Sequence, residues 1–265
     1  MGFSVERYLN SDGVQIRFIV EGEGTPVVFI HGFTGSAEMW MLTETMPLLA
    51  ESFRAVAMDC RGHGESGKPH DPDSYGLAMV ADVVQLLDLL EIGSAHIIGY
   101  SMGAEIALRL ITQHPERVLS LTIGGSGWSG TRDERNYQLI ADSLESSHSF
   151  GPFIRAMMPA DSPGPSNEVV QAADRILAGN DIDALVALAR SMGDVINLSN
   201  DELSATRIPV LGIAGEHDPE RPNLEKLSDV VPDFTMKVLS GRDHGNAVMD
   251  PAFNMHIVEF LSGQQ

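Results

Sequence analysis

Gly99-Tyr100-Ser101-Met102-Gly103 is a place in the chain where residue types and spacing suggest chemistry. It fits G-x-S-x-G and stands between an apolar run, 95–100, and a helical run, 102–114. A hinge this tight between strand and helix strains the central backbone, so its flanks must be small. It lifts the serine hydroxyl above the strand end and puts the N–H of Met102 where an oxyanion can form. A serine hydroxyl is a weak nucleophile at neutral pH. It needs a base, and the base needs an orienting acid.

Of the nine histidines, His31 and His63 lie in Gly-rich turns, and His114 ends a helix before Pro115. His244 differs. It follows the apolar run 234–240 and precedes the last helical run, so it sits at a strand exit. Asp218 holds the same kind of place after 208–215, in Gly215-Glu216-His217-Asp218-Pro219. The order Ser101, Asp218, His244 is that of a nucleophile, its acid and its base on three strand ends. Asp243 is an alternative acid, yet adjacent loop residues rarely turn their side chains toward each other.

These residues need a scaffold that gathers strand ends. Runs 14–22, 26–32, 53–59, 95–100, 118–125, 208–215 and 234–240 read as short strands. Helical patterns intervene at 78–90, where Val80, Val83, Val84, Leu87 and Leu90 share a face, and at 102–114 and 248–262. Such alternation builds a mostly parallel sheet flanked by helices, an α/β fold. The rhythm breaks after Gly125, and no further apolar strand run comes before Ile208. Stretches 133–145, 166–178 and 181–192 are helix-compatible and separated by Gly/Pro breakers. The expected division is a core, 1–125 and 207–265, and a helical insertion, 126–206.

On these residues the chain resembles the α/β-hydrolase fold family, nearly end to end. His31-Gly32-Phe33 resembles the family's HG-x turn, whose third residue donates the second oxyanion N–H. Asp59-Cys60-Arg61-Gly62-His63-Gly64-Glu65-Ser66 resembles its D-x-R-G-x-G-x-S loop. Gln113-His114-Pro115-Glu116-Arg117-Val118 resembles the exit from the helix behind the serine. The resemblance implies an eight-stranded sheet, with 126–206 as a helical cap over the site. It implies a Ser101–His244–Asp218 triad, with Phe33 and Met102 supplying the oxyanion hole. The expected reaction is hydrolysis of a small to medium carboxylic ester or lactone through an acyl-enzyme, with no metal or organic cofactor. Some family members place the acid after strand 118–125; GGSGW there has no carboxylate, which favours Asp218.

Trp128, Phe153, Met157, Met158 and Met192, with Phe150, give the insertion an apolar set suited to a substrate pocket. An aspartate nucleophile would have indicated a dehalogenase or epoxide hydrolase; Ser101 disfavours both. Carbon–carbon bond hydrolases of the family share the triad, but commonly carry HG-x-G-x-G and an aromatic residue after the histidine. HGFTGS and His244-Gly245-Asn246 depart from that pattern. A cofactor-free perhydrolase uses the same groups, and a small-molecule receptor on this scaffold can keep the triad while turning over slowly or once.

Other signals are weaker. Gly62-x-Gly64-x-x-Gly67 matches a dinucleotide fingerprint, but Lys68-Pro69-His70-Asp71-Pro72 follows, so no helix opens to receive a pyrophosphate. Glu216-His217-Asp218, and His70 with Asp71 and Asp73, lack metal-ligand spacing. There are 37 acidic and 17 basic residues, a net charge of −20, which repels phosphate backbones and anionic lipid and argues against nucleic-acid binding. Cys60 is the only cysteine and reads as an inert core residue, with no internal disulfide possible. No signal peptide, myristoylation site or transmembrane run is visible, so a cytoplasmic location is expected. Substrate identity and oligomeric state are not legible.

Overall fold

Along β3 (Thr25–Ile30) the side chains alternate between two apolar layers, and this alternation builds the molecule. Val28 and Ile30 join one cluster with Val83 and Leu86 of the helix Leu77–Leu89 and Ile106 and Leu110 of the helix Met102–Gln113. Val27 and Phe29 join the other, with Met46 and Leu49 of the helix Thr45–Ala50 and Phe253 and Ile257 of the helix Pro251–Ser262. A sheet buried on both faces reads as nearly continuous apolar strands. Each fully buried Ile, Leu or Phe contributes about 1.5–3 kcal/mol.

The computed structural model describes residues 5–128, 135–157 and 163–264. Besides β3, the strands are β1 (Val5–Ser11), β2 (Val14–Glu21), β4 (Phe53–Met58), β5 (Ala95–Tyr100), β6 (Val118–Gly124), β7 (Val210–Gly215) and β8 (Phe234–Leu239). They form one eight-stranded sheet in the order β1-β2-β4-β3-β5-β6-β7-β8. β1 and β2 pair antiparallel, as do β2 and β4; every other pair is parallel. The expected strand runs all recur within about two residues. β1, a half-polar strand at the sheet edge, has no run in the sequence reading because VERYLNS lacks sustained apolar character.

Because β3, β5, β7 and β8 are parallel, their C-terminal ends open onto one rim. That rim is where α/β sheets bind ligands. It receives the turn after β3, the serine after β5, and the loops after β7 and β8. Between β6 and β7 the described residues form six helices: Arg135–Ser147, Gly151–Met157, Asn167–Arg175, Ile182–Ser191, Gly193–Ile196 and Asn200–Ala205. Ser166, Asp181 and Ser199 cap three of these N-termini with side-chain oxygens. No helix among the described residues is long and apolar enough to cross a membrane.

Candidate active site

Ser101 joins β5 to the helix Met102–Gln113 at φ 53°, ψ −120°. This is a costly conformation for a residue with a side chain, and it persists only where the surroundings enforce it. The two motif glycines make it feasible. A Cβ at Gly99 would collide with the carbonyl of Gly103, and a Cβ at Gly103 with the carbonyl of Ile30. The turn therefore folds only with small residues on both sides of the serine, as the spacing predicts. Met102 opens the helix, so its N–H has no intrahelical acceptor and belongs to the electropositive helix end.

Three side chains from three loops meet in a line. His244 Nε2 lies 3.1 Å from Ser101 Oγ. His244 Nδ1 lies 3.2 Å from both carboxylate oxygens of Asp218. The Asp218 side chain is fully buried, whereas that of His244 is 37% exposed, so the imidazole faces the site and its acid does not. Glu220 N–H also donates to Asp218 Oδ1 at 2.9 Å, fixing the carboxylate from its own loop. Burial alone would push His244 toward its neutral form. The hydrogen bond and charge of Asp218, with the charges of Glu220 and Glu105, outweigh it, and the pKa is raised above the usual histidine value. Asp243 points elsewhere: its Oδ1 accepts the N–H groups of Gly245 and Asn246 at 2.9 and 3.1 Å.

The turn after β3 lies against Ser101. A Cβ on Gly32 would stand 3.2 Å from both Ser101 Cβ and the Tyr100 carbonyl oxygen, so the backbone leading into Phe33 runs directly beside the serine. Two buried histidines hold this turn. His31 Nε2 accepts the N–H of Cys60 at 3.0 Å while Nδ1 meets the carbonyl of Gly32 at 2.8 Å. His63 Nε2 accepts the N–H of Thr34 at 3.1 Å while Nδ1 meets the carbonyl of Arg61 at 3.2 Å. Each ring therefore carries its proton on Nδ1 and must be neutral. Burial lowers both pKa values, that of His63 to about 3.

The loop 59–66 is scaffolding for this turn. Asp59 accepts the N–H groups of Ala37 and Glu65 at 2.7 and 2.8 Å and a guanidinium N–H of Arg17 at 3.2 Å. Arg61 grips Asp82 in bidentate fashion at 2.8 and 2.6 Å. Cys60 is buried, and burial pushes its thiol far above the usual range, which suits an inert core residue.

Phe33 also forms the centre of an aromatic set. Its ring meets His63 at 5.9 Å and Tyr137 and Phe150 at 6.5 Å each, all edge to face. Phe150 continues to Phe153 at 6.5 Å, and Phe153 packs against the cluster of Leu144, Leu177 and Leu185 in the inserted segment. Trp128 and Met192 are buried in the main core, and the Trp128 indole N–H donates to the carbonyl of Leu198 at 2.9 Å. Met157 closes the helix Gly151–Met157, and Met158 lies outside the described residues.

Two features of the site escaped the sequence reading. Tyr100, the residue before the serine in the motif, donates its hydroxyl to the carbonyl of His244 at 2.6 Å, tying the loop of His244 to the turn at Ser101. Glu105, four residues past Ser101, accepts Ser126 Oγ at 2.9 Å and the Tyr137 hydroxyl at 2.5 Å. The available signal was a lone acid in the otherwise apolar start of a helix, at the i+4 position from the nucleophile. As for metals, the ligand atoms of His70, Asp181 and Asp183 lie within 4.8 Å of one another at the surface. The 3.0 Å pair of His70 with Asp181 accounts for that proximity.

A family model described as alpha/beta hydrolase fold matches residues 25–143. These residues hold β3, the Phe33 turn, the serine elbow and the scaffold loop, on the sheet order already described. The chain has the α/β-hydrolase fold. Among its relatives is a protein of Bacillus subtilis (strain 168) provisionally named 2-succinyl-6-hydroxy-2,4-cyclohexadiene-1-carboxylate synthase. It is 29% identical over 275 residues, covering 95% of this chain and 96% of that one. The 2-hydroxymuconate semialdehyde hydrolase of Pseudomonas sp. (strain CF600) is 37% identical over 123 residues, 46% of this chain and 44% of its own length. Among solved structures, Est816, described as an N-acyl homoserine lactone degrading enzyme, superposes with a TM-score of 0.77 at 27% identity. The match covers 96% of this chain and 100% of that one. Residues beyond 143, which hold Asp218 and His244, lie outside the family-model match.

Proposed function

We propose that the chain is a serine hydrolase that cleaves a small to medium carboxylic ester or lactone through an acyl-enzyme. The observation that carries this reading is the unbroken line from Ser101 Oγ through His244 to buried Asp218. In the proposed reaction Ser101 Oγ attacks the carbonyl carbon as His244 Nε2 takes its proton. Asp218 holds the imidazole with Nδ1–H toward it and stabilises the imidazolium. The N–H groups of Phe33 and Met102 receive the oxyanion of the tetrahedral intermediate. His244 then protonates the departing alcohol oxygen, and the carbonyl reforms as the acyl-enzyme. Water, deprotonated by the same imidazole, releases the acid and restores Ser101. These groups complete the cycle by themselves.

The helices between β6 and β7 act as the cap in this reading. Phe33, Phe150 and Phe153 form an apolar contact surface continuous with the serine turn, which suits an uncharged acyl or alcohol group. Est816 supports the lactone side of the reading as a relative of matching length. The second reading, carbon–carbon bond hydrolysis on the same groups, is favoured by the half-length match to 2-hydroxymuconate semialdehyde hydrolase. The test is a panel of p-nitrophenyl esters of rising chain length, homoserine lactones, macrocyclic lactones and vinylogous diketones, run beside Ser101→Ala. Multiple turnovers on esters or lactones that vanish in Ser101→Ala are expected. Turnover confined to the diketones would favour the second reading, and a single turnover would make the chain a receptor.

A further inference from the structure

Three carboxyl groups act on one imidazole, and the mechanism uses only one of them. Asp218 is the acid bonded to His244; the other two are Glu220 and Glu105. Glu105 stands one helical turn beyond Ser101. Its two oxygens are held by Ser126 from the end of β6 and by Tyr137 from the helix Arg135–Ser147. Tyr137 in turn meets the ring of Phe33, beside the serine. Glu220 is half-buried, donates its backbone N–H to Asp218, and accepts Asn223 Nδ2 at 2.8 Å. The Glu105 carboxyl thus lies where the elbow helix, the inserted helices and the serine turn converge.

We propose that Glu105, seconded by Glu220, is a selectivity residue that makes the site reject esters carrying a carboxylate near the scissile bond and accept uncharged or cationic ones. This rests on the serine-hydrolase reading above. A substrate carboxylate brought close to Ser101 would enter a partly dry space already holding like charges. At an effective dielectric near 20, two such charges several ångströms apart repel strongly enough to cost at least about tenfold in kcat/KM. The discrimination also depends on pH. The groups that face Glu105 are Tyr137, Ser126, Glu220 and His244. Burial is the largest influence and drives its pKa up. The hydrogen bonds from Tyr137 and Ser126 pull it down, the charge of Glu220 raises it and that of His244 lowers it, leaving it at about 7. Glu105 is therefore mostly neutral at pH 6 and mostly ionised at pH 8.

The test compares 4-nitrophenyl methyl succinate with 4-nitrophenyl hydrogen succinate, which differ by a methyl group and a charge, each corrected for its own rate without protein, which for the hydrogen succinate includes displacement of nitrophenolate by its own carboxylate. The wild-type protein should favour the methyl ester at least tenfold at pH 8, with the ratio shrinking toward pH 6. Glu105→Gln should cut the ratio several-fold at pH 8 and flatten its pH dependence, and Glu220→Gln should cut it less. Glu105→Gln should also move the acid limb of kcat/KM for the methyl ester to lower pH, because His244 loses a neighbouring negative charge. A Glu105 that merely tethers helices would lower Tm in the variant and move neither the ratio nor the limb. A wild-type ratio near one, or a ratio that neither variant moves, overturns the proposal. If neither ester turns over, the same ratio is read from the rates at which neutral and carboxylate-bearing phosphonates label Ser101. Absence of any labelling of folded protein overturns the hydrolase reading and this proposal with it.

Discussion

His63 holds the turn after β3 and His244 meets Ser101, and the two rings have opposite lives. His63 is fully buried, accepts a backbone N–H, and is held neutral with its pKa lowered to about 3. His244 is partly open to the site, bonded to a buried carboxylate, and its pKa is raised. The residue type is the same; the partner on Nδ1 differs. A backbone carbonyl fixes the tautomer of His63 and offers no charge to stabilise an imidazolium. A carboxylate fixes the tautomer of His244 and stabilises the imidazolium. One ring therefore holds backbone, and the other is placed to carry a proton in the proposed reaction.

The comparison breaks most visibly at the carboxylate. Asp218→Asn should lower kcat by about 10⁴-fold, as removal of the triad acid does in the general template. Asp243→Asn should cost less than tenfold, since Asp243 caps its own loop. Steady-state kinetics on one ester decides the ranking, and the reverse order with both variants folded would move the acid to Asp243.

Next comes His63→Ala, which should cost about 2–3 kcal/mol of stability by leaving the Thr34 N–H unpaired in a new cavity. Urea unfolding measures this, and an unchanged midpoint would contradict a scaffolding role. The pH dependence of stability follows the same contrast. The folded pKa values of His31 and His63 lie below the unfolded value of about 6.5. Their contribution is thus present above about pH 6.5 and is lost as pH falls below it, for His63 down to about 3. His244 works the other way: its contribution is present below about 6.5 and is lost as pH rises through its raised pKa. The proposed mechanism needs neutral His244, so activity should rise with pH through that same pKa. Urea midpoints at pH 7.5 and 5 should show lower stability at pH 5, and His63→Ala should weaken that dependence.

The smallest expected effect is that of Tyr100→Phe. It removes one hydrogen bond to the carbonyl of His244, worth about 1 kcal/mol, so kcat/KM should fall a few-fold. A loss above 10²-fold would place Tyr100 in the chemistry itself.

The sequence showed those parts of the site that depend on local covalent geometry. The elbow is legible because Gly99 and Gly103 leave room that no side chain could share, and the three-residue order is legible because parallel strands must end on one rim. The division of labour among histidines was not legible. His31, His63 and His244 all sit in Gly-containing turns, and only the fold shows which Nδ1 meets a carbonyl and which meets a carboxylate. Glu105 was silent because its partners, Ser126 and Tyr137, come from the end of β6 and from the insertion, where no local pattern signals a long-range contact. In the sequence the apolar residues of the insertion form one set. Packing divides them, with Trp128 and Met192 in the main core and Phe153 beside the aromatic set on Phe33.

The central claim is that Ser101 is a nucleophile activated by His244. Incubation with a fluorophosphonate, followed by intact-mass and peptide mapping, tests it most directly. One adduct on the peptide containing Ser101 is expected, absent in Ser101→Ala and formed at least 10²-fold more slowly in His244→Ala. Well-folded protein that takes the label on another serine, or takes none, would contradict the account.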